Sequence, residues 1–239
     1  FSPYYSIEEN NIYNNNTDTA FITDKNTNKN YGFVLQDVIT LKQNNIIIGI
    51  ENNNKKYYSE RWESKIAKTY PYLPDYSNNY SAMFTQINIS QIKNLKISLG
   101  SRLDYINFKI FPTDSMTVFK STNSYITFNP NISLKYNIFP WLNIHSSAGK
   151  AFLAPDAFKK TGIFSYKSTW GYFNYKGNND LKPEKSWTLE GGIGYNTSSL
   201  YADLTIFNTW HNNLIISYTI PPDTTSYKNS RNSIMRGIE

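Results

Sequence analysis

The sequence predicts an all-β fold, a stretch of antiparallel transmembrane β-barrel. Three observations predict it. Long segments alternate apolar and polar residues, and no helical spacing recurs. The connections between those segments are alternately tight and long. Aromatic residues make up 16% of the chain, with 20 Tyr and 14 Phe, while hydrophobic residues reach only 39%. Such a chain has little for a thick aliphatic core but many amphipathic rings suited to an interface. Disorder is excluded, because aromatics are depleted in disordered chains.

The strands come in chain order. The alternation marks them at roughly 31–41, 45–54, 80–90, 94–110, 124–138, 141–150, 186–196 and 199–211, about eight or nine in all once a final partial segment is counted. The clearest case is 95–105. Leu95, Ile97, Leu99, Leu103 and Tyr105 share one face, and Lys96, Ser98, Gly100, Arg102 and Asp104 share the other. Residues 126–138 repeat the pattern, with Ile126, Phe128, Ile132, Leu134, Tyr136 and Ile138 against polar neighbours. Residues 200–210 do so again. These runs are about 10–13 residues long, against ~5–6 for an ordinary globular strand and about 9–11 for one that spans a membrane.

The connections sort the strands. Those at 42–44, 91–93, 139–140 and 197–198 are short, and those at 55–79, 111–123, 151–185 and 212–230 are long. Between antiparallel neighbours, this alternation gathers the tight turns at one end and the loops at the other. That is the plan of an outer-membrane barrel, with short periplasmic turns and long extracellular loops. Leu95, Leu99 and Leu103 are then expected to face lipid, and Lys96, Arg102 and Asp104 the lumen. Tyr80, Trp141, Trp187, Tyr195 and Trp210 are expected in the interfacial aromatic girdles. Glu190, between Leu189 and Gly191, reads as a lumen-facing charge on a strand whose Trp187, Leu189, Ile193 and Tyr195 meet lipid. A large soluble β-sandwich with one polar face is the competing reading.

Bulk properties narrow the chemistry. The chain has 239 residues and no Cys, which removes disulfides, thiolate catalysis and Cys-based zinc sites. No apolar run is long enough for a transmembrane helix. Net charge is +6, but Lys and Arg are scattered, so no nucleic-acid surface is expected. His145 and His211 lie on separate strands without ligand spacing, and no metal site is expected. Asp180, Glu184 and Glu190 do not read as catalytic carboxylates, and no nucleophile triad, phosphate loop or dinucleotide fingerprint is present. Neither catalysis nor a cofactor is expected.

The loops carry the binding candidates. Tyr57, Tyr58, Trp62, Tyr70, Tyr72 and Tyr76 fall within 55–79. Phe164, Tyr166, Trp170, Tyr172, Phe173 and Tyr175 crowd the longest loop. Loops on a rigid scaffold commonly carry binding, and aromatics give large contact area at low entropic cost. Trp62, Tyr70, Tyr72, Trp170, Tyr172 and Tyr175 are the candidate ligand contacts, against a plainer reading of loop-on-loop packing.

One segment carries a specific resemblance. Residues 177–192, GNNDLKPEKSWTLEGG, are similar to the "N-x-x-L-K-P-E-x-S-x-x-x-E-x-G" segment of TonB-dependent outer-membrane receptors. In the same order, Ala82-Met83-Phe84-Thr85-Gln86 and Leu99-Gly100-Ser101-Arg102-Leu103-Asp104 resemble that family's "A-x-F-x-Q … L-G-x-R-x-D" hairpin. Residues 129–136, 148–155 and 232–239 resemble further strand motifs, except that Leu153 stands where the family usually has Arg. Leu181, Lys182, Pro183, Glu184 and Glu190 are thus family-motif positions. The resemblance implies a plugged barrel of about 22 strands, of which residues 1–239 supply an interior slice. A plug and a TonB-contacting segment are expected outside it, with outer-membrane lipid around the barrel. It implies energy-coupled uptake of a scarce ligand such as a siderophore, haem, vitamin or glycan. A diffusive porin and a soluble β-sandwich adhesin or lectin remain the alternatives.

Overall fold

The computed structural model describes residues 2–14, 21–113, 120–168 and 171–239. Its elements are β1 (Ser2–Asn14), β2 (Phe21–Leu41), β3 (Asn44–Trp62), β4 (Lys68–Thr69), β5 (Tyr76–Ile89), β6 (Leu95–Ile110), β7 (Ser121–Phe139), β8 (Leu142–Leu153), α1 (Ala157–Thr161), β9 (Ile163–Ser168), β10 (Gly171–Lys176), β11 (Glu184–Asn196), β12 (Tyr201–Asn212), β13 (Ile215–Ile220), β14 (Thr224–Asn229) and β15 (Asn232–Ile238). The main sheet runs β1-β2-β3-β5-β6-β7-β8-β11-β12-β15, with β4 on the end of β3. Each strand pairs antiparallel with the next in that order. Tight turns and loops alternate as expected. Lys42 and Asn94, with φ of 58° and 63°, turn two of the tight corners.

The strands are longer than the sequence pattern suggests. β2 has 21 residues and β3 has 19. β1 and the first half of β2 were not expected at all. Residues 7–30 are rich in Asn, Asp, Thr and Glu, which are depleted in strands or offer no apolar contrast to read. Residues 24–30 are strand because the ladder of β2 and β3 continues unbroken to Asp24 opposite Arg61, and β1 pairs in turn along β2. Tyr57 and Tyr58, expected in a loop, therefore stand on β3.

Register fixes the faces. On β6, Leu99, Leu103 and Tyr105 are exposed, whereas Asp104, Ile106, Phe108 and Ile110 are buried. The apolar face continues through Ile126, Phe128, Ile132 and Leu134 on β7 and Leu189 and Ile193 on β11, all exposed. From Leu95 to Tyr105 the strand covers about 34 Å at ~3.4 Å per residue. Tilted by ~40°, that spans roughly 26 Å, against the ~25 Å apolar band of outer-membrane barrels. Exposed leucines and isoleucines on so long a band are what a lipid-facing surface requires, and a soluble sandwich would bury them.

The girdle expectation holds in part. Trp141 stacks on Phe139 at 5.0 Å, with Tyr195 at 5.6 Å, at the turn end. Trp187 and Trp210, paired in register and both exposed, mark the other end. Tyr80 is different. It sits opposite Ile106, so it projects from the polar face, and its hydroxyl bonds the carboxylate of Asp104. Its even position on β5 places it there, because only odd-numbered residues of that strand reach the apolar side.

Candidate functional site

The polar face carries a connected charge network at mid-height. Glu51, Ala82, Asp104 and Thr127 lie in one cross-strand row. Arg102 donates from Nη2 to Glu51 Oε2 at 2.7 Å and from Nε to Asp104 Oδ1 at 2.7 Å. Asn129 donates to Asp104 Oδ2 at 2.7 Å and accepts from Thr127 at 3.1 Å. Asp104 is 1% exposed, yet every part of its carboxylate has a donor. A buried charge survives only on those terms. The Arg102 guanidinium also lies 5.4 Å from the Tyr80 ring centre and 5.5 Å from that of Phe84.

Nearer the turns, the same face remains polar. A groove of about 570 Å³ runs past Lys96, Lys135, His145, Ser147 and Glu190. Ser147 donates to Glu190 Oε2 at 3.0 Å, and His145 Nε2 lies 3.1 Å from Asp203. Glu190 thus lies on the polar face, as the alternation predicted. A Cβ at Gly192 would fall 2.6 Å from the His145 ring and the Thr205 hydroxyl, so a larger residue there displaces those side chains.

At the loop end the polar face is covered. Tyr57, Tyr76, Phe108 and Ile110 form a small apolar cluster, with Tyr57 and Tyr76 stacked at 5.0 Å, and Ala157 of α1 packs against it. The longest loop therefore folds inward over the mouth. Asp156 caps α1 by accepting from Lys159 N–H at 2.8 Å. β9 and β10 form a hairpin, β13 and β14 form another, and β14 pairs in parallel with β10. Two loops expected as separate connections thus share one four-stranded sheet.

The motif residues 178–184 hold that sheet to the barrel. Leu181 is 2% exposed and its carbonyl accepts from Tyr125 Oη at 3.0 Å. Asn179 bonds Asn123 and Ser121 at the top of β7. Lys160, itself 2% exposed, donates from Nζ to Asn179 O at 2.7 Å, Tyr125 Oη at 3.0 Å and Leu181 O at 3.4 Å. Burial pulls its ammonium down to about 8, an effect partly opposed by the Asp180 carboxylate. Gly177 lets the chain pass within reach of α1, because a Cβ there would meet Thr161 N at 2.5 Å.

Lys182 and Glu184 point to the second hairpin. The Lys182 backbone exchanges two 2.9 Å hydrogen bonds with the Asn229 side-chain amide. Glu184 Oε1 accepts from the Ile215 backbone N–H at 2.8 Å. Asn178 donates to Tyr227 O at 2.9 Å. The motif is therefore a two-sided staple, joining β7 on one side and the β13–β14 hairpin on the other. Leu153 lies opposite Glu184 in register and is exposed. An Arg there would compete for the carboxylate, and with Leu at that position Glu184 serves the Ile215 N–H.

The aromatic candidates divide. Trp62 ends β3 with the Lys68 ammonium 5.4 Å from its ring centre. Tyr70 and Tyr72 are exposed, and the Arg61 guanidinium lies 4.1 Å from the Tyr72 ring centre. Tyr175 is enclosed, stacked on Phe158 at 4.3 Å and edge-on to Tyr227 at 5.7 Å, so it packs loop against loop. Tyr172 is on β10. Trp170 lies outside the described residues. The Lys160 clamp and the Asn229 exchange were missed by sequence reading. A lysine in a five-residue helix and an asparagine in an Asn-rich chain give no local signal.

A family model described as TonB dependent receptor-like, beta-barrel, matches residues 1–239. No curated protein sequence matches the chain. Among solved structures it is similar to a double mutant of the Serratia marcescens hemophore receptor HasR in complex with its hemophore HasA and heme. The TM-score is 0.75 at 14% identity, over 99% of this chain and 41% of that one. It is also similar to the copper transporter OprC (TM-score 0.73, 15% identity, 90% of this chain and 34% of that one). A third is the Pseudomonas aeruginosa ferric enterobactin receptor PfeA, as a mutant in complex with enterobactin (0.64, 15%, 94% and 34%). The chain spans less than half the length of each. At such identities the likeness is one of fold, and the match of the family model over every residue goes further: the chain belongs to the TonB-dependent receptor β-barrel family.

Proposed function

We propose that residues 1–239 are part of the barrel domain of an outer-membrane receptor that takes up a scarce ligand with energy supplied through TonB. Further strands and a plug, carried elsewhere in the protein, complete it. The observation that carries this reading is the covered mouth. Loop elements seal the polar face at one end and are stapled to the strands through residues 178–184. A freely diffusive pore has no use for such a cover, whereas a receptor must capture its ligand before passing it. The ligand class is a siderophore, haem, vitamin, glycan or metal complex. HasR, OprC and PfeA are named for haem and its hemophore, copper and enterobactin, which supports a small scarce ligand. Trp62, Tyr70 and Tyr72 are the aromatics we assign to meeting it, and the sequence adds Trp170 and Tyr172 of the longest loop as candidates. The protein works as a receptor and transporter in the bacterial outer membrane, with no catalytic step.

Uptake of labelled ferric siderophores, haem and copper into cells carrying or lacking the intact gene tests this. Accumulation should need both the gene and an energised inner membrane. Uptake that persists after protonophore treatment would instead assign a diffusive pore.

A further inference from the structure

On the polar face near the turns, β11 carries glycine at two successive inward positions, Gly192 and Gly194. Polar residues of the neighbouring strands flank each one in register. His145 of β8 and Thr205 of β12 stand either side of Gly192, and Asn143 and Asp203 either side of Gly194. These side chains lean over a notch that any larger residue on β11 would fill. A Cβ at Gly194 would meet the Asn143 amide, Nδ2 at 2.7 Å and Oδ1 at 3.1 Å, and Asp203 Oδ2 at 3.0 Å. One at Gly192 would meet His145 Nε2 at 2.7 Å. Glycine inside a strand weakens it and marks a close approach by another group.

The polar atoms around the notch are oriented but not used up. Asn143 is 8% exposed. Its Nδ2 donates to Gly194 O at 3.0 Å, and its Oδ1 has no donor among the described residues. A buried acceptor is normally satisfied. His145 Nε2 lies 3.1 Å from Asp203 Oδ2. Asp203 Oδ1 accepts from Thr205 Oγ1 at 2.8 Å, which fixes the rotation of the carboxylate. The His145 and Asp203 side chains are 29% and 30% exposed, so both are reached from the polar side of the sheet.

A plain histidine–carboxylate hydrogen bond accounts for the 3.1 Å separation alone. It explains neither the orphaned Asn143 oxygen nor the two glycines beside it. A metal ion explains all three. An imidazole nitrogen and a carboxylate oxygen, each ~2.0–2.2 Å from one ion at angles of about 90–110°, stand about 2.9–3.4 Å apart. Among the described residues no three His, Asp or Glu side chains converge, so the third donor is the Asn143 amide. The surrounding charge is mixed. Lys135 stands opposite His145 in register with Lys96 beyond it, and Glu190 lies two residues along β11. Affinity must therefore come from the imidazole rather than from a negative field. That disfavours Ca²⁺ and Mg²⁺, which take oxygen donors, and suits an ion of the copper and zinc kind.

We infer that His145, Asp203 and Asn143 bind one divalent transition-metal ion over Gly194, with solvent completing its shell. The ion ties β8 to β12 across β11 at the turn end of the sheet. No spacing in the sequence announces the site, because His145 and Asp203 are 58 residues apart and meet only through register. The inference goes beyond the uptake reading and does not rest on it.

The test titrates Cu²⁺ into the intact receptor in detergent and reads the bound ion by electron paramagnetic resonance. The parent should show imidazole nitrogen coupling that is lost in His145→Ala and kept in His211→Ala, the other histidine of this chain. Asn143→Ala should weaken binding at least about tenfold. Gly194→Ala retains every donor, places a methyl in the notch and should do the same. Heat-modifiable gel migration shows that each variant has folded. A large excess of Mg²⁺ should leave the parent's signal intact, an arm that needs no variant. Absence of nitrogen coupling in the parent, or its survival in His145→Ala, overturns the site. So does binding unchanged in both Asn143→Ala and Gly194→Ala. Displacement by Mg²⁺ would assign a hard-cation site and overturn the transition metal. None of these outcomes bears on energy-coupled uptake.

Discussion

Glu184→Ala isolates the outer half of the staple. The carboxylate accepts one hydrogen bond, from Ile215 N–H at 2.8 Å, at the first residue of β13. A hydrogen bond to a charged acceptor contributes about 1.5–3 kcal/mol. The site is only half-buried, so about 1–2 kcal/mol is the expected loss. The Asn229 exchange with Lys182 and the Asn178 bond to Tyr227 O remain, so the hairpin stays docked but opens more often. At 1.4 kcal/mol per factor of ten, amide-exchange protection across β13 and β14 should fall by roughly 5- to 30-fold. Protection in the β6–β7 ladder should not change. Glu184→Gln keeps an acceptor oxygen and should lose less than half as much. Hydrogen exchange read by mass spectrometry on the intact protein in detergent measures all three. Unchanged protection in the Ala variant, or a Gln variant as weak as Ala, would refute the staple.

Three further outcomes follow from the same contacts. Leu99→Arg puts a charge in the lipid band and should impair membrane assembly by about 2–4 kcal/mol, whereas Ser98→Arg on the polar face should cost far less, as read by heat-modifiable gel migration. Asp104→Ala leaves Arg102 with Glu51 as its one carboxylate beside the Tyr80 hydroxyl and orphans the Asn129 amide N–H, for an expected loss of about 2–3 kcal/mol in urea unfolding, with Asp104→Asn milder. The Lys160 ammonium is held down to about 8 in the fold from an ordinary 10.5, so between those values the unfolded loop binds the extra proton. Loop anchoring should therefore strengthen as pH rises from 8 to about 10 and be weakest below 8. Limited proteolysis of the loop at pH 7 and 9.5 should show this, and Lys160→Met should abolish the difference.

The alternation of Leu95, Leu99 and Leu103 with Lys96, Arg102 and Asp104 was enough to set strand, register parity and membrane face. Period-2 contrast is a local property, and it survives wherever one side meets lipid and the other a polar lumen. The same logic placed Glu190. It misplaced Tyr80, because an aromatic near a strand end suggests a girdle unless its parity is counted. It was blind to β1 and the upper half of β2, where apolar and polar residues fall on both faces and the contrast between them is weak.

The Leu-Lys-Pro-Glu landing shows the boundary most clearly. Its composition marked a junction between loop and strand, and Pro183 accounted for the start of the ladder. The purpose of Glu184 was absent from the local sequence, because its partner is the backbone of Ile215, 31 residues away. Lys160, Asn229 and the parallel pairing of β10 with β14 have the same character. By itself the sequence determined the strands that cross the membrane, whose pattern repeats every two residues. Tertiary structure alone decided how the loops close over them, since most of those side-chain bonds end on a distant backbone N–H or C=O, which carries no residue identity.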